Sequence, residues 1–186
     1  MKRSKKTALV LMAPAATLML AGCGERPVDA LVFNNPDECS ALYGYTPAEC
    51  QAEFEQAMAL HTEVAPRYLS QEDCEADFGQ GSCETVPSTH QGSGFFMPMM
   101  MGYMVGRMLS ASSQATPAAP RSAVPTQPLY KSRDDRFTFR TATNHPVSSY
   151  TGRVSVTPSA VQPERAQMVR RGGFGQQAAA RSSLGS

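Results

Sequence analysis

The sequence predicts a mainly α protein: a small disulfide-stapled helical domain, then a short apolar helix and a largely disordered C-terminal tail. Three observations carry that expectation. Helix-start signatures recur just ahead of three cysteines, four cysteines remain in a chain that carries an export signal, and the composition after residue 110 turns to Ser, Ala, Pro, Thr and Gln.

Lys2, Arg3, Lys5 and Lys6 form a basic start, Ala8 to Leu20 is apolar, and Leu20-Ala21-Gly22-Cys23 closes the stretch with small residues. This is the pattern of an export signal. A cysteine directly after the small pair resembles a bacterial lipobox, which implies a signal peptide over 1–22 and lipidation of Cys23. Several acyl chains on one residue hold a bilayer far better than the marginal grip of one. Gly24 rather than aspartate follows Cys23, and by resemblance to Gram-negative lipoproteins this favours the outer membrane, facing the periplasm. The alternative is a plain cleaved signal followed by an unrelated thiol.

The precursor holds 17 Lys+Arg and 16 Asp+Glu; removal of the signal takes four cations and leaves a net charge of −3. Residues 25–84 carry thirteen acids and only Arg26 and Arg67, whereas residues 85–186 carry eleven basic residues against Asp134, Asp135 and Glu164. An acidic head thus precedes a basic tail, and each end has a natural counter-charge in the other.

After a tether over 23–34, the head (35–85) writes three helix starts: Asn35-Pro-Asp-Glu-Cys39, Thr46-Pro-Ala-Glu-Cys50 and Ser70-Gln-Glu-Asp-Cys74. Each offers a capping side chain and, three residues on, a carboxylate that can reach back. Gly44, Pro66 and Gly79 supply stops. The expected helices span 36–43, 47–65 and 71–78. In the second, Cys50, Phe54, Ala57, His61, Val64 and Tyr68 share one apolar stripe. His61 on that stripe reads as a packed histidine bonded to backbone rather than as a ligand.

Cys39, Cys50, Cys74 and Cys83 read as two disulfides, because an exported domain of this size buries too little surface to hold alone. If the third helix ran back along the second, Cys39–Cys74 and Cys50–Cys83 would pair; the two local pairs are the second choice. Redox or zinc chemistry is disfavoured. There is no C-x-x-C spacing, and a carboxylate precedes each of the first three cysteines, which raises a thiol pKa that catalysis needs lowered.

The run Glu72-Asp-Cys74-Glu-Ala-Asp-Phe-Gly-Gln-Gly-Ser-Cys83 resembles the cysteine motif of the YgiB-like family of Gram-negative lipoproteins. Phe96-Met97-Pro98 with Gly102-Tyr103-Met104-Val105-Gly106-Arg107, and Arg171-Gly172-Gly173-Phe174-Gly175, are similar to its apolar and C-terminal motifs in the same order. The resemblance implies location and architecture. It implies no reaction and carries over no catalytic residue.

Beyond a linker at 86–94, residues 95–110 hold six methionines, two glycines and Arg107. From Phe95 to Leu109 a helix would rise roughly 22 Å, short of the ~30 Å hydrocarbon core. Thioethers suit Cu(I), but His90 is the only close histidine, so no metal is expected. Gly94, Pro98, Gly102, Gly106 and Ser110 recur every fourth residue, and on a helix they would form a small-residue stripe open to a partner. The expectation is an association helix beginning near Pro98, with Phe96, Met97, Met101, Gly102, Tyr103 and Gly106 at its contact surface.

Residues 111–186 read as a basic low-complexity tail. Phe137-Thr-Phe139-Arg-Thr and Val154-Ser-Val156 alternate briefly, but an isolated strand is not stable. No Ser/His/Asp constellation, phosphate-binding glycine loop or nucleophile with a nearby base is present, so the chain is not expected to be an enzyme and no cofactor is implied. Export makes nucleic acid an improbable partner. The expected function is a non-enzymatic envelope lipoprotein that meets the membrane through its lipid anchor, and a protein partner, itself or the envelope surface through the apolar segment and basic tail. The alternative is a binding module whose acidic head takes a polycation or a metal ion.

Overall fold

The computed structural model describes residues 25–42, 44–87, 94–106 and 124–184. The expected signal peptide, Cys23, His90 and Ser110 lie outside the described residues. Three helices begin where their caps place them: α1 (Pro36–Ser40), α2 (Pro47–Val64) and α3 (Gln71–Phe78). Asn35, Thr46 and Ser70 each accept a hydrogen bond from the amide three residues on. At α2 the capping box closes, with the Thr46 amide donating to Glu49 at 2.8 Å. Ahead of α1 the carboxylate reaches one residue further, taking the Asn34 amide at 2.7 Å.

The rest of the molecule overturns the mainly α expectation. Its strands are β1 (Val28–Phe33), β2 (Cys83–Thr85), β3 (Phe96–Pro98), β4 (Gly102–Gly106), β5 (Gln127–Ser132), β6 (Asp135–Arg140), β7 (Pro146–Ser148) and β8 (Gly152–Val156), followed by helix α4 (Gln176–Leu184). Six strands form one antiparallel sheet in the order β7-β6-β5-β4-β1-β8, and β2 and β3 make a separate pair. β7 and β8 sit at opposite ends of that order, yet only residues 149–151 join them. So short a link brings the two edges together and curls the sheet into a nearly closed barrel. Register shifts in the β5–β6 and β6–β7 pairs sharpen the bend.

Stretches expected as tether, helix and tail all enter this sheet. The supposed tether supplies β1, which lies between β4 and β8. The expected association helix is instead β3, a turn at 99–101, and β4. The expected disordered tail supplies β5 to β8 and α4. The alternations at 137–139 and 154–156 are stable because each strand has partners in the sheet: Phe139 opposes Ser148 of the next strand, and Val154 opposes Ala30 at the far end of the chain.

β1 and β4 are buried on both faces. Ala30, Val32 and Met104 join Leu129, Phe139 and Val154 inside the curled sheet. Leu31, Phe33, Tyr103 and Val105 point the other way, onto Cys39, Cys50 and Ala57 of the helices. A strand covered on both sides reads as a continuous apolar run, with no period to separate it from a helix. Gly102 marks the tightest approach in the sheet: a Cβ there would lie 2.7 Å from the Phe33 carbonyl oxygen and 2.8 Å from the Phe139 ring.

The favoured disulfide pairing is also corrected. The bonds are Cys39–Cys50 and Cys74–Cys83, the local pairs. α1 is only five residues long, so the chain turns at once and α2 enters with Cys50 against Cys39. α3 does not run back along α2. It packs on β2, β3 and β5, which brings Cys83 of β2 to Cys74.

Candidate functional site

Of the residues expected to form an association surface, Met97, Gly102, Tyr103 and Gly106 are buried and Phe96 is half-buried. Tyr103 is wholly covered, its ring against Phe33 and Phe54 with centroids 5.6 Å away in each case. Burial, with the charges of Glu53 and Glu38, pushes its hydroxyl up to about 12. These side chains build the core and cannot present a contact surface.

What remains outside is the turn between β3 and β4. Backbone bonds from Met99 to Ser82 O and from Met101 to Leu129 O, both 2.9 Å, pin it. Residues alternate across this pinned stretch. Met100 tucks toward the helix-side core, while Met99 and Met101 stay 43% and 47% exposed. These two thioethers and Phe78 line an open cleft of about 330 Å³ together with Lys131 of β5 and Arg136 of β6. The Lys131 ammonium is held 3.9 Å from the centroid of the Phe139 ring, a cation–π contact that steers it without neutralising it. Phe137, the chain neighbour of Arg136 in β6, is 79% exposed. A cleft lined by flexible, polarizable thioethers and two cations suits something apolar that also carries negative charge.

A second feature lies on the other side of Phe78. Asp77 is a buried carboxylate at the end of α3. Its Oδ1 accepts from the Gly172 amide at 2.6 Å; its Oδ2 accepts from the amides of Gly173 at 3.1 Å and Phe174 at 3.2 Å and from the Tyr68 hydroxyl at 3.0 Å. The acidic head thus grips the Arg-Gly-Gly-Phe-Gly motif. Successive amides converging on one oxygen pair form an anion nest, and here the anion is the chain's own. Gly172 takes the left-handed turn at φ +72°, and a Cβ on Gly173 would strike the Arg170 carbonyl at 2.7 Å. Phe174 then inserts against Phe78, with ring centroids 4.6 Å apart. Asn144 holds the Gly175 amide and carbonyl, each at 2.9 Å.

Asp134 caps α4, accepting from the amides of Gln176 at 3.2 Å and Gln177 at 2.9 Å and from the Ser132 hydroxyl at 2.5 Å. Burial pushes its carboxyl up. The bonds from Ser132, Gln177 and Gln176 and the Arg140 charge outweigh that and hold it below the usual carboxylate range.

His61 is buried as expected, but its partners are side chains, not backbone. Nδ1 lies 2.9 Å from the Tyr130 hydroxyl and Nε2 lies 3.3 Å from a Glu84 carboxylate oxygen. A carboxylate only accepts, so Nε2 carries the proton and Nδ1 accepts from the tyrosine. Desolvation lowers the imidazole's pKa, and Glu84 only partly restores it. The order acid, imidazole, hydroxyl has the look of a relay, but Tyr130 is 0% exposed and its hydroxyl is closed off from solvent. The set instead ties α2 to β2 and β5.

Many of the head's acids are occupied in the same way. Glu49 caps a helix, Glu53 accepts from Thr126, and Glu84 holds His61. Among the described residues no group of three or more His, Cys, Asp or Glu is arranged to hold a metal ion, and no helix is long and apolar enough to cross a membrane.

Sequence reasoning missed both the nest and the cleft, because each joins residues tens of positions apart. The motif Arg171–Gly175 was visible, but its partner Asp77 looked like one more surface acid of α3.

A UPF0441 protein of Yersinia enterocolitica is 32% identical over 209 aligned positions, which cover 98% of this chain and 86% of the relative. A UPF0441 protein of Klebsiella pneumoniae is 32% identical over 186 positions, covering 94% and 82%. No solved structure matches the chain. The family model described as protein of unknown function DUF1190 matches residues 27–185, from the strand that opens the sheet to the helix that follows the nest, and the chain belongs to that family.

Proposed function

We propose that the chain is a non-enzymatic cell-envelope protein, lipid-anchored through Cys23, that binds a protein partner in the cleft between Met99, Met101 and Lys131, Arg136. The partner surface is apolar with acidic residues around it. One observation carries this reading: the apolar segment and the basic tail, far apart in the chain, meet at this cleft. The lipobox resemblance and the paired cysteines support the location, since disulfides persist in oxidising compartments. Met97 and residues 102–106 are spent on the core, so among the described residues of the segment the turn at 99–101 is left to touch a partner.

The test is photo-crosslinking in intact cells from a benzophenone amino acid at position 101 of the full-length chain. A discrete protein adduct that is lost in the Lys131→Glu/Arg136→Glu double variant supports the reading. Recovery of lipid alone, or an adduct indifferent to the double variant, ends it.

A further inference from the structure

Beside the nest lies a second open cavity, of about 380 Å³, bounded by Asp77, Arg133, Asp134, Arg171, Gly172 and Gln177. Two acids and two guanidiniums give it no formal charge, but their hydrogen bonding differs sharply. Asp77 already accepts four bonds from within the protein, and Asp134 accepts three. Seven donors therefore offset the two carboxylates, and little accepting capacity is left for the arginines. The guanidiniums are in the opposite condition. Arg171 has one long ion pair, 3.5 Å to the exposed Glu72. The Arg133 side chain has no hydrogen-bond or ion-pair partner among the described residues, although its backbone N–H is fixed to the Asp77 carbonyl at 2.7 Å. The Arg133 backbone is thus fixed while its guanidinium has no partner among the described residues, and the Arg171 guanidinium has that one long, exposed pair.

We infer that this cavity is an anion site for a phosphate monoester, with Arg133 and Arg171 as its two cationic walls. Planar guanidiniums offer paired donors that match the oxygens of a phosphate. The amino-terminal amides of α4 at the same wall are already taken by Asp134, so the two guanidiniums supply the attraction. The volume exceeds that of phosphate alone and admits a small esterified group. The inference is independent of the methionine cleft and of the partner proposed for it, because none of the four residues that define that cleft bounds this cavity.

The probes are glycerol 3-phosphate and inorganic phosphate, titrated calorimetrically into the mature full-length chain, with Arg133→Gln, Arg171→Gln and the control Arg153→Gln. All three side chains are exposed, so unchanged melting temperatures are expected and verify folding. Saturable binding that weakens about tenfold or more in each of the first two variants, the loss of one charge-assisted contact, and is unchanged in the control supports the site. Sedimentation with phosphatidylcholine vesicles containing phosphatidic acid separates the sources. Binding that needs both arginines assigns a lipid headgroup, and a response to the soluble ester alone assigns a soluble phosphate. No saturable binding of either probe at millimolar concentration, or binding equal in all variants, overturns the inference.

Discussion

Replacing Asp77 with asparagine changes a single atom and removes the charge that joins the head to the C-terminal motif. The carboxylate is 6% exposed and both oxygens are in use, one by the Gly172 amide and the other by Gly173, Phe174 and Tyr68. An amide has one oxygen. Its better orientation keeps that oxygen toward the three donors and turns its NH2 against the Gly172 N–H, so one charge-assisted bond becomes a donor facing a donor. That loss costs roughly 1–3 kcal/mol, and trading a charged for a neutral acceptor at the other three costs several tenths to 1 kcal/mol each, for a total of about 3–5 kcal/mol. A domain stable by about 5–15 kcal/mol then melts about 10–15 °C lower, at roughly 3 °C per kcal/mol for this size. The assay is thermal unfolding of the mature chain followed by circular dichroism, with hydrogen exchange read at Gly172 to Phe174. The variant should melt lower and lose protection first at those amides. A melting temperature within about 2 °C of the parent, with those amides still protected, would refute the assignment of Asp77 as the fastener.

Gly102→Ala should cost about 1–3 kcal/mol in urea unfolding, because the Cβ meets the Phe33 carbonyl, which is held in the sheet and cannot yield. His61 makes stability fall on mild acidification. Its folded pKa is depressed, so the unfolded chain binds the extra proton, and the contribution present above the unfolded value of 6.5 is lost as pH falls toward the folded value. Urea midpoints across that range should drop for the parent and drop less for His61→Gln; a parallel drop would assign the effect elsewhere. Peptide mapping under non-reducing conditions should recover Cys39 with Cys50 and Cys74 with Cys83, and the Cys74→Ser/Cys83→Ser variant should lose about 3 kcal/mol, the loop-closure value for a ring of this length.

The helical part of the molecule was legible from residues 35 to 79 because its signals are local. A cap and its amide lie three residues apart, and the apolar stripe of α2 repeats within a turn. The strands were not, for two physical reasons. β1 and β4 are buried on both faces, so Ala30-Leu-Val-Phe33 and Tyr103-Met-Val105 show no alternation, and the spacing of Gly102 and Gly106 is as compatible with a strand face as with a helix stripe. β6 and β8 do alternate, but each is stable only beside its partners: β8 beside β1 at the far end of the chain, and β6 beside β5 and β7, whose Pro128 and Pro146 hide them as strands. The disulfide pairing failed for a related reason: it presumed a helix hairpin, whereas α3 seats on strands. Of the two clefts, the residue types were visible, and their convergence was not. Lys131 and Arg136 looked like tail charge, and Met99 and Met101 could not be told from Met97 and Met104, which the fold buries.

The central claim is that residues 102–106 of the methionine-rich segment lie in the middle of a sheet and that, among its described residues, the turn at 99–101 is left for binding. Native-state hydrogen exchange of the mature chain tests it most directly at the amides of Tyr103, Met104 and Val105, which lie between β1 on one side and β5 on the other. Exchange of these amides only through global unfolding, at the free energy measured in urea, is the predicted result. Exchange within minutes, far below that free energy, would contradict it and return the segment to the surface.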